Sequence, residues 1–329
     1  MPPARREMSK RAEFRSAASL RARSSVEVAR NIFGERPTTK VEPRTGDEVL
    51  DLHHITIATS RRRAVFSNEA DVRRVVRRLL ELAAANLVAF YAGGDHLHLV
   101  CAFALADAAR RADAMRRAVQ TVIGVELEPA RVSLINGRRH VERVLPYVFR
   151  QGQHHGYDHD DALWSGSSIG FALGATWSPH PPAGPALALP HFAERTALSA
   201  VQLSPAALQP ASAEEVRSFG AERLREIVAS ATLSPPSLEG ADTITREARR
   251  AFVRVGREAG IRRVVLQDAL GIASSTMHSL GIAPAVPELD AAVLRRVRLE
   301  RFVTESRVAQ WRAGEGRPAP DERRLGAHR

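Results

Sequence analysis

Residues 87–103, LVAFYAGGDHLHLVCAF, decide the fold. Two apolar runs flank Gly93-Gly94-Asp95, and glycines supply the positive φ that a tight hairpin needs. The spacing predicts a strand over 87–92, a turn, and a strand over 96–103. On the second strand His96 and His98 alternate with Leu97 and Leu99. A period of two places both imidazoles on one sheet face and turns Leu97 the other way, into the core.

Working outward, residues 50–59 (LDLHHITIAT) carry the β-branched content of a first strand. Between them lies a helix expected from Glu69 to Asn86, with Val72, Val75, Val76, Leu79, Leu80 and Ala83 at helical spacing. Arg73, Arg74, Arg77 and Arg78 fall on its other side and are expected as a solvated face. A second helix is expected over 105–122 and a fourth strand over 130–136 (ARVSLIN). The order βαββαβ defines an α+β protein on the ferredoxin-like plan, an antiparallel sheet with helices on one face. A further helix is expected from Arg139 to Gln151, with Pro146 kinking it or ending its first part.

The rest of the chain has a different texture. Residues 1–47 form a basic, polar arm with one short helix expected near Ser25–Phe33. Residues 48–175 form the sheet-bearing unit. Residues 176–211 are rich in Pro, Ala and Ser and are expected as a linker. Ser212 and Glu215 have the spacing of a capping box that starts a helix. They open an all-α unit over 212–315, followed by a basic tail, 316–329. Within this unit VVLQDALGIASSTMHSL (264–280) has the pattern helix, Gly271 turn, helix, with Ser274–Leu280 in the place of a recognition helix. The residues expected to face DNA there are Ser274, Ser275, Thr276 and His278. A charged amphipathic helix is expected from about Glu288 to Arg312.

Composition narrows the function classes. The 329 residues include 48 Lys+Arg against 37 Asp+Glu, a formal charge of +11. An excess of this size favours a polyanionic partner, because cations gain by releasing counterions from phosphates. Only Lys10 and Lys40 are lysines, an imbalance that a GC-rich genome also produces. One cysteine, Cys101, excludes an internal disulfide framework and is expected as a buried thiol. No apolar stretch approaches the roughly 20 residues of a membrane span, no secretory signal is evident, and no GxxxxGK[ST] phosphate loop occurs. A bacterial cytoplasmic, nucleoid-associated location is the simplest expectation.

Tyr147 and Gln151 are four apart on the expected helix, so both project from one side. His96, His98 and Gln151 make three candidate ligands for a divalent ion, with positions left for a phosphate oxygen. Tyr147 stands one turn away as a candidate nucleophile. Such a set suits metal-assisted transesterification at phosphorus. Imidazole also suits zinc and nickel, so the donors leave the ion open. His54 is a candidate assisting base or a hydrogen-bonding histidine, and Asp95 a candidate extra ligand or a turn cap. Tyr157, with Asp161 four later, is the rival nucleophile. His154, His155, Asp158, His159, Asp160 and Asp161 form either a second metal cluster or a polar loop. Tyr91 is expected in the core.

GGDHLHLVCAF followed by LPYVFRQGQHHG resembles the single-tyrosine HUH transposases, especially the REP-associated type. HHITIATSRRRAVF is similar to that family's first strand and arginine-rich loop, and DALWSGSS to its Trp-Ser element. The resemblance spans about residues 50–170. It implies an HUH nuclease core in which His96, His98 and Gln151 ligate Mg2+ or Mn2+. It implies that Tyr147 attacks a single-stranded DNA phosphodiester, leaving a 5′-phosphotyrosine link and a free 3′-hydroxyl, with Arg61, Arg62 and Arg63 against the DNA. The family commonly has Asn where this chain has Asp95, and its REP-associated members often have Asn-Pro where Gln151-Gly152 stand. The C-terminal unit is similar to helix-turn-helix modules appended to some of these enzymes, which implies duplex DNA as a second partner beside single-stranded or hairpin DNA. The alternative is a non-catalytic, domesticated DNA-binding regulator.

Overall fold

The computed structural model describes residues 51–59, 64–66, 68–157, 159–189 and 194–312. The N-terminal arm with its short helix, Arg61, Arg62, Arg63, Asp158 and the basic tail lie outside the described residues.

Four strands, β1 (Asp51–Ala58), β2 (Leu87–Gly93), β3 (His96–Phe103) and β4 (Arg131–Leu134), form one sheet in the order β2-β3-β1-β4. Every neighbouring pair is antiparallel. The β2–β3 hairpin closes at Gly93 and His96, with Gly94 at φ +60°. Helix α1 (Glu69–Ala83) starts where the Asn68 side chain accepts from the Asp71 amide at 3.0 Å. Helix α2 (Ala108–Ile123) stops at Gly124, whose φ of 69° ends the helical run. Both helices cover one sheet face. There Ile55, Ile57, Leu97, Leu99, Cys101 and Phe103 bury against Val72, Val76, Leu79, Ala112, Met115 and Val119. Each such side chain contributes about 1.5–3 kcal/mol on leaving water. Burial pushes the Cys101 thiol pKa up, which makes it an inert core group.

The other face is covered as well, so the expectation of helices on one face alone is corrected. Helix α3 (Arg138–Phe149) lays Val141, Val144, Leu145, Val148 and Phe149 over Leu52, Val100 and Ala102. A bulge between Leu87 and Ala89 brings Val88 and Ala89 into that same layer. The sheet's second face is thus apolar at one end, and that end needs a lid. The expected single helix through Gln151 is also corrected. The helix passes Pro146, breaks at Arg150 (φ −105°, ψ 23°), and a short helix α4 (Gln151–His155) begins there.

The stretch expected as a linker is packed. Helix α5 (Ile169–Ala172) precedes it, and within it helix α6 (Glu194–Ala200) and single turns at 185–187 and 205–208 bury Ala188, Ala197, Leu198 and Ala207 in the α3 layer. A Pro- and Ala-rich composition signals irregular backbone, but small apolar side chains at intervals still bury. The helical unit follows. Helix α7 (Ala213–Ala231) starts with the Ser212–Glu215 capping box in place and is interrupted at Gly220. Helix α8 (Thr243–Glu258) is capped by Asp242. Helices α9 (Arg263–Leu270) and α10 (Ser274–Gly281) meet at Gly271, φ 63°, in the expected helix-turn-helix order, and α11 (Pro287–Arg312) closes the unit. Its core includes Leu224, Val228, Phe252, Leu266, Met277 and Val293.

The arginine stripe of α1 is only half solvated. Arg74 and Arg78 are paired within their own helix, to Asp71 and Glu81. Arg73 is 5% exposed and donates to the Ser234 carbonyl (2.8 Å), Ser230 Oγ (2.8 Å) and Glu69 Oε1 (2.9 Å). Arg77 bonds Asp242 at 2.8 Å. From the helical unit, buried Arg296 donates to the Leu163 carbonyl. Burial works to raise the Glu69 pKa, but Arg73 and the Ser165 hydroxyl outweigh it and hold the carboxyl below its ordinary range. Three arginines, Arg73, Arg77 and Arg296, therefore join the sheet-bearing and helical units, and their bonds offset the desolvation of the two that are buried.

Candidate metal and nucleophile site

The histidine-bearing end of the second sheet face stays polar. The strand alternation that sends Leu97 and Leu99 into the α1–α2 core puts His96 and His98 opposite, beside His54 of β1. The His96 and His98 ring centroids are 4.7 Å apart. His98 is 5% exposed, and its Nδ1 lies 2.9 Å from His54 Nε2. Its Nε2 is buried without a well-formed hydrogen bond, although the Gln151 carboxamide lies close enough to the ring to interact with it. A buried nitrogen in that state is costly unless something else occupies its lone pair. If Nε2 presents that lone pair, Nδ1 carries the proton and donates to His54. Burial, followed by the neighbouring His96, His54 and His155, pushes the His98 pKa down to about 3, with the Gln151 carboxamide acting weakly in the opposite sense. The ring is neutral at ordinary pH, the state a metal ligand needs.

His96 is set from the hairpin turn. Asp95 Oδ1 lies 2.5 Å from its Nδ1. A carboxylate there fixes the ring and leaves Nε2 available, as outer partners of metal-binding histidines do. His54 and Asp95 thus hold the two imidazoles from behind. Burial, then His140, lowers the His54 pKa.

The helical side closes over these rings. Tyr147 projects from α3, 39% exposed, its ring centroid 5.4 Å from His98 and 6.3 Å from His54. Its hydroxyl makes no hydrogen bond among the described residues. Gln151 is fully buried, with Nε2 donating to the Tyr147 carbonyl at 2.9 Å and Oε1 lying 3.1 Å from His155 Nε2. Sequence spacing placed Tyr147 and Gln151 on one helix. The structure keeps them adjacent across the break, tied by that amide bond. His96, His98, Gln151 and Tyr147 are therefore brought together. Among the described residues no three His, Cys, Asp or Glu side chains are grouped to hold a metal ion. The expected set contains only two such residues, its third member being an amide.

The backbone of α4 is held by a residue that the sequence offered beside the rival Tyr157 and in the second cluster or polar loop. Asp161 accepts from the Gly152 amide at 2.8 Å and the Gln153 amide at 3.0 Å. A Cβ on Gly152 would sit 2.3 Å from that carboxylate, so glycine permits the approach. The segment beyond Asp161 lies along β2. Trp164 Nε1 donates to the Ala92 carbonyl at 2.7 Å, the Ala92 amide to Gly166, and the Phe90 amide to Ser168 Oγ at 2.8 Å. The second metal cluster does not form among the described residues. His159 stacks on Trp164 (4.0 Å) and meets Tyr91 Oη at 2.7 Å, while Asp160 accepts from the Ala162 amide.

The rival nucleophile Tyr157 is partly buried and stacks on His155 at 5.5 Å. A Cβ on Gly94 would lie 1.6 Å from its hydroxyl, so the phenol rests on the hairpin turn. Burial and Asp95 raise its pKa. Tyr91 is buried as expected, with its pKa raised by burial and by Asp161. Sequence reasoning placed His155 only in that second cluster or polar loop, whereas its ring meets His96 at 4.8 Å and its Nε2 meets Gln151. The signal available was its spacing of four from Gln151. In the helical unit Ser274, Ser275, Thr276 and His278 are exposed on α10, with Ser274 also bonded by Arg263. No protein-family model, curated protein or solved structure matches this chain.

Proposed function

We propose that this chain is a transposase-like, metal-assisted endonuclease and strand transferase for single-stranded DNA, built on a ferredoxin-like HUH core. The carrying observation is the buried Nε2 of His98, without a well-formed hydrogen bond, beside an exposed tyrosine whose hydroxyl is free among the described residues. The βαββαβ order, with β4 beside β1, supports the ferredoxin-like plan. The donor set fits a divalent ion: His98 Nε2 lacks a well-formed hydrogen bond, His96 is held through Nδ1, and Gln151 is a buried amide whose oxygen has a second lone pair. His96, His98 and Gln151 would hold Mg2+ or Mn2+, which supplies Lewis acidity toward a phosphate oxygen when bound.

Tyr147 Oη forms the new bond to phosphorus as the bond from phosphorus to the 3′ oxygen breaks. The phenol proton is lost to solvent or a base, and the leaving 3′ oxygen takes up a proton. A 5′-phosphotyrosine and a 3′-hydroxyl result. Another 3′-hydroxyl reverses the step and joins strands, with no external energy source. His54, bonded to His98, acts as a positioning residue rather than the base. The helix-turn-helix supports duplex DNA as a second partner, through the exposed residues of α10.

A second reading has an observation of its own. Both polar ends of the Gln151 amide are hydrogen-bonded within the protein, as suits a non-catalytic DNA-binding regulator. Incubation with Mn2+ and a labelled hairpin-bearing oligonucleotide separates the two. The expected result is a denaturation-resistant adduct that Tyr147→Phe abolishes. An adduct persisting in Tyr147→Phe overturns the nucleophile, and tight binding without any wild-type adduct establishes the regulator.

A further inference from the structure

We propose that Arg139, Arg143 and Arg150 form a phosphate rail that leads a single strand across α3 to Tyr147. The proposal rests on the single-strand reading above and adds the strand's path. Most of the arginines among the described residues are neutralised close by, as Arg138 is by Glu142 and Arg110 by Asp107. Arg139, Arg143 and Arg150 are exposed and form no ion pair among the described residues. They are not scattered. Arg139, Arg143 and Tyr147 stand four apart on one helix, so they line one face over successive turns, each step rising about 6 Å. The opposite face of α3 is spent on the core through Val141, Val144, Leu145 and Val148. Arg150 follows at the helix break, where its Nε donates to the Pro146 carbonyl and its remaining donors stay available.

The rail ends at surface rings. His154 is exposed, 5.8 Å from the Tyr147 ring, and His155 is exposed 5.0 Å beyond it. A line of unpaired cations running into exposed rings is the composition of a single-strand track: phosphates take the cations, and unstacked bases take the ring faces. A duplex keeps its bases inside and has no use for the rings. Other arginines without an ion pair among the described residues, Arg246, Arg249, Arg257, Arg262 and Arg263, stand on α8 and at the start of α9 in the helical unit.

The test uses the full-length chain carrying Tyr147→Phe, without metal, and a labelled unstructured oligonucleotide. Affinity is measured by anisotropy against salt. Arg139→Ala with Arg143→Ala is expected to make the slope of log K against log salt less steep by about 1.4, two single-strand phosphates at roughly 0.7 each. Arg139→Lys with Arg143→Lys keeps the slope, which separates lost charge from misfolding, and Arg110→Ala with Arg117→Ala, both ion-paired on α2, leaves it unchanged. An unchanged slope in the alanine pair, or equal losses in the lysine pair, overturns the rail. The adduct assay keeps the two readings distinct. A missing wild-type adduct with the slope lost as expected sinks the transesterase and leaves the rail standing. An adduct with an unchanged slope sinks the rail alone.

Discussion

The two faces of the one sheet divide the labour of the molecule. On the α1–α2 face, Ile55, Ile57, Leu97, Leu99 and Phe103 are buried to within a few per cent and meet only apolar partners of helical spacing. On the other face the same strands present His54, His96 and His98, and α3 packs its apolar residues on one end and sets Tyr147 against the rings at the other. The rigid face fixes the strands to which the imidazoles are attached. Both faces leave imidazole nitrogens without a well-formed hydrogen bond, His53 Nδ1 and Nε2 on the packed one and His98 Nε2 on the polar one, but only His98 stands beside other imidazoles and an exposed tyrosine. Precision in the site is thus borrowed from packing on the reverse side.

The largest effect that can break this comparison is on the packed face. Leu99→Ala should cost about 2–5 kcal/mol in chemical denaturation, as deletions in close-packed cores do. Tyr147→Phe, on the site face, should stay within about 0.5 kcal/mol. Equal losses would mean that the two faces are not separate in function. Next in size is His54→Ala, expected to weaken Mn2+ binding by about 10–100-fold in titration calorimetry, the range for loss of an outer partner of a ligand. Unchanged affinity would remove His54 from the positioning role.

The smallest effect, counted per pH unit, is the dependence of stability on pH. An unfolded histidine titrates near about 6.5, whereas His98 in the folded chain is pushed down to about 3. Between those values the unfolded state holds the extra proton. Stability of the metal-free protein is therefore fully present above the upper value and falls as pH drops toward the lower one. One such proton gives a slope of at most about 1.4 kcal/mol per pH unit. His53, buried on the packed face with its pKa lowered by burial, adds in the same direction. Denaturation midpoints that do not fall between neutral and mildly acidic pH would contradict a neutral, enclosed His98.

The N- and C-terminal parts of the described chain also differ in how legible they are. The helix-turn-helix follows from Gly271 and the start of α7 from a capping box, both local, and these elements lie where periodicity puts them. The α1 arginines do not: Arg73 is buried because Ser230, Ser234 and Glu69 surround it, and two of those are far along the chain. Likewise, Pro and Ala over 176–211 signal broken backbone but carry no information about the layer on which Ala197 and Leu198 settle.

Alternation and helical spacing by themselves determined the strands, the hairpin at Gly94, the sheet face that His96 and His98 share, and the common side of Tyr147 and Gln151. These are consequences of neighbouring residues along one chain, where the periods of strand and helix act directly. Only the tertiary structure decided that the helix breaks at Arg150, that Asp161 anchors the next one, that His155 meets Gln151, and that half an arginine stripe is buried. Each of those depends on a partner brought in from another element. Whether a polar group ends in water or in a hydrogen bond is fixed by what the completed packing places beside it.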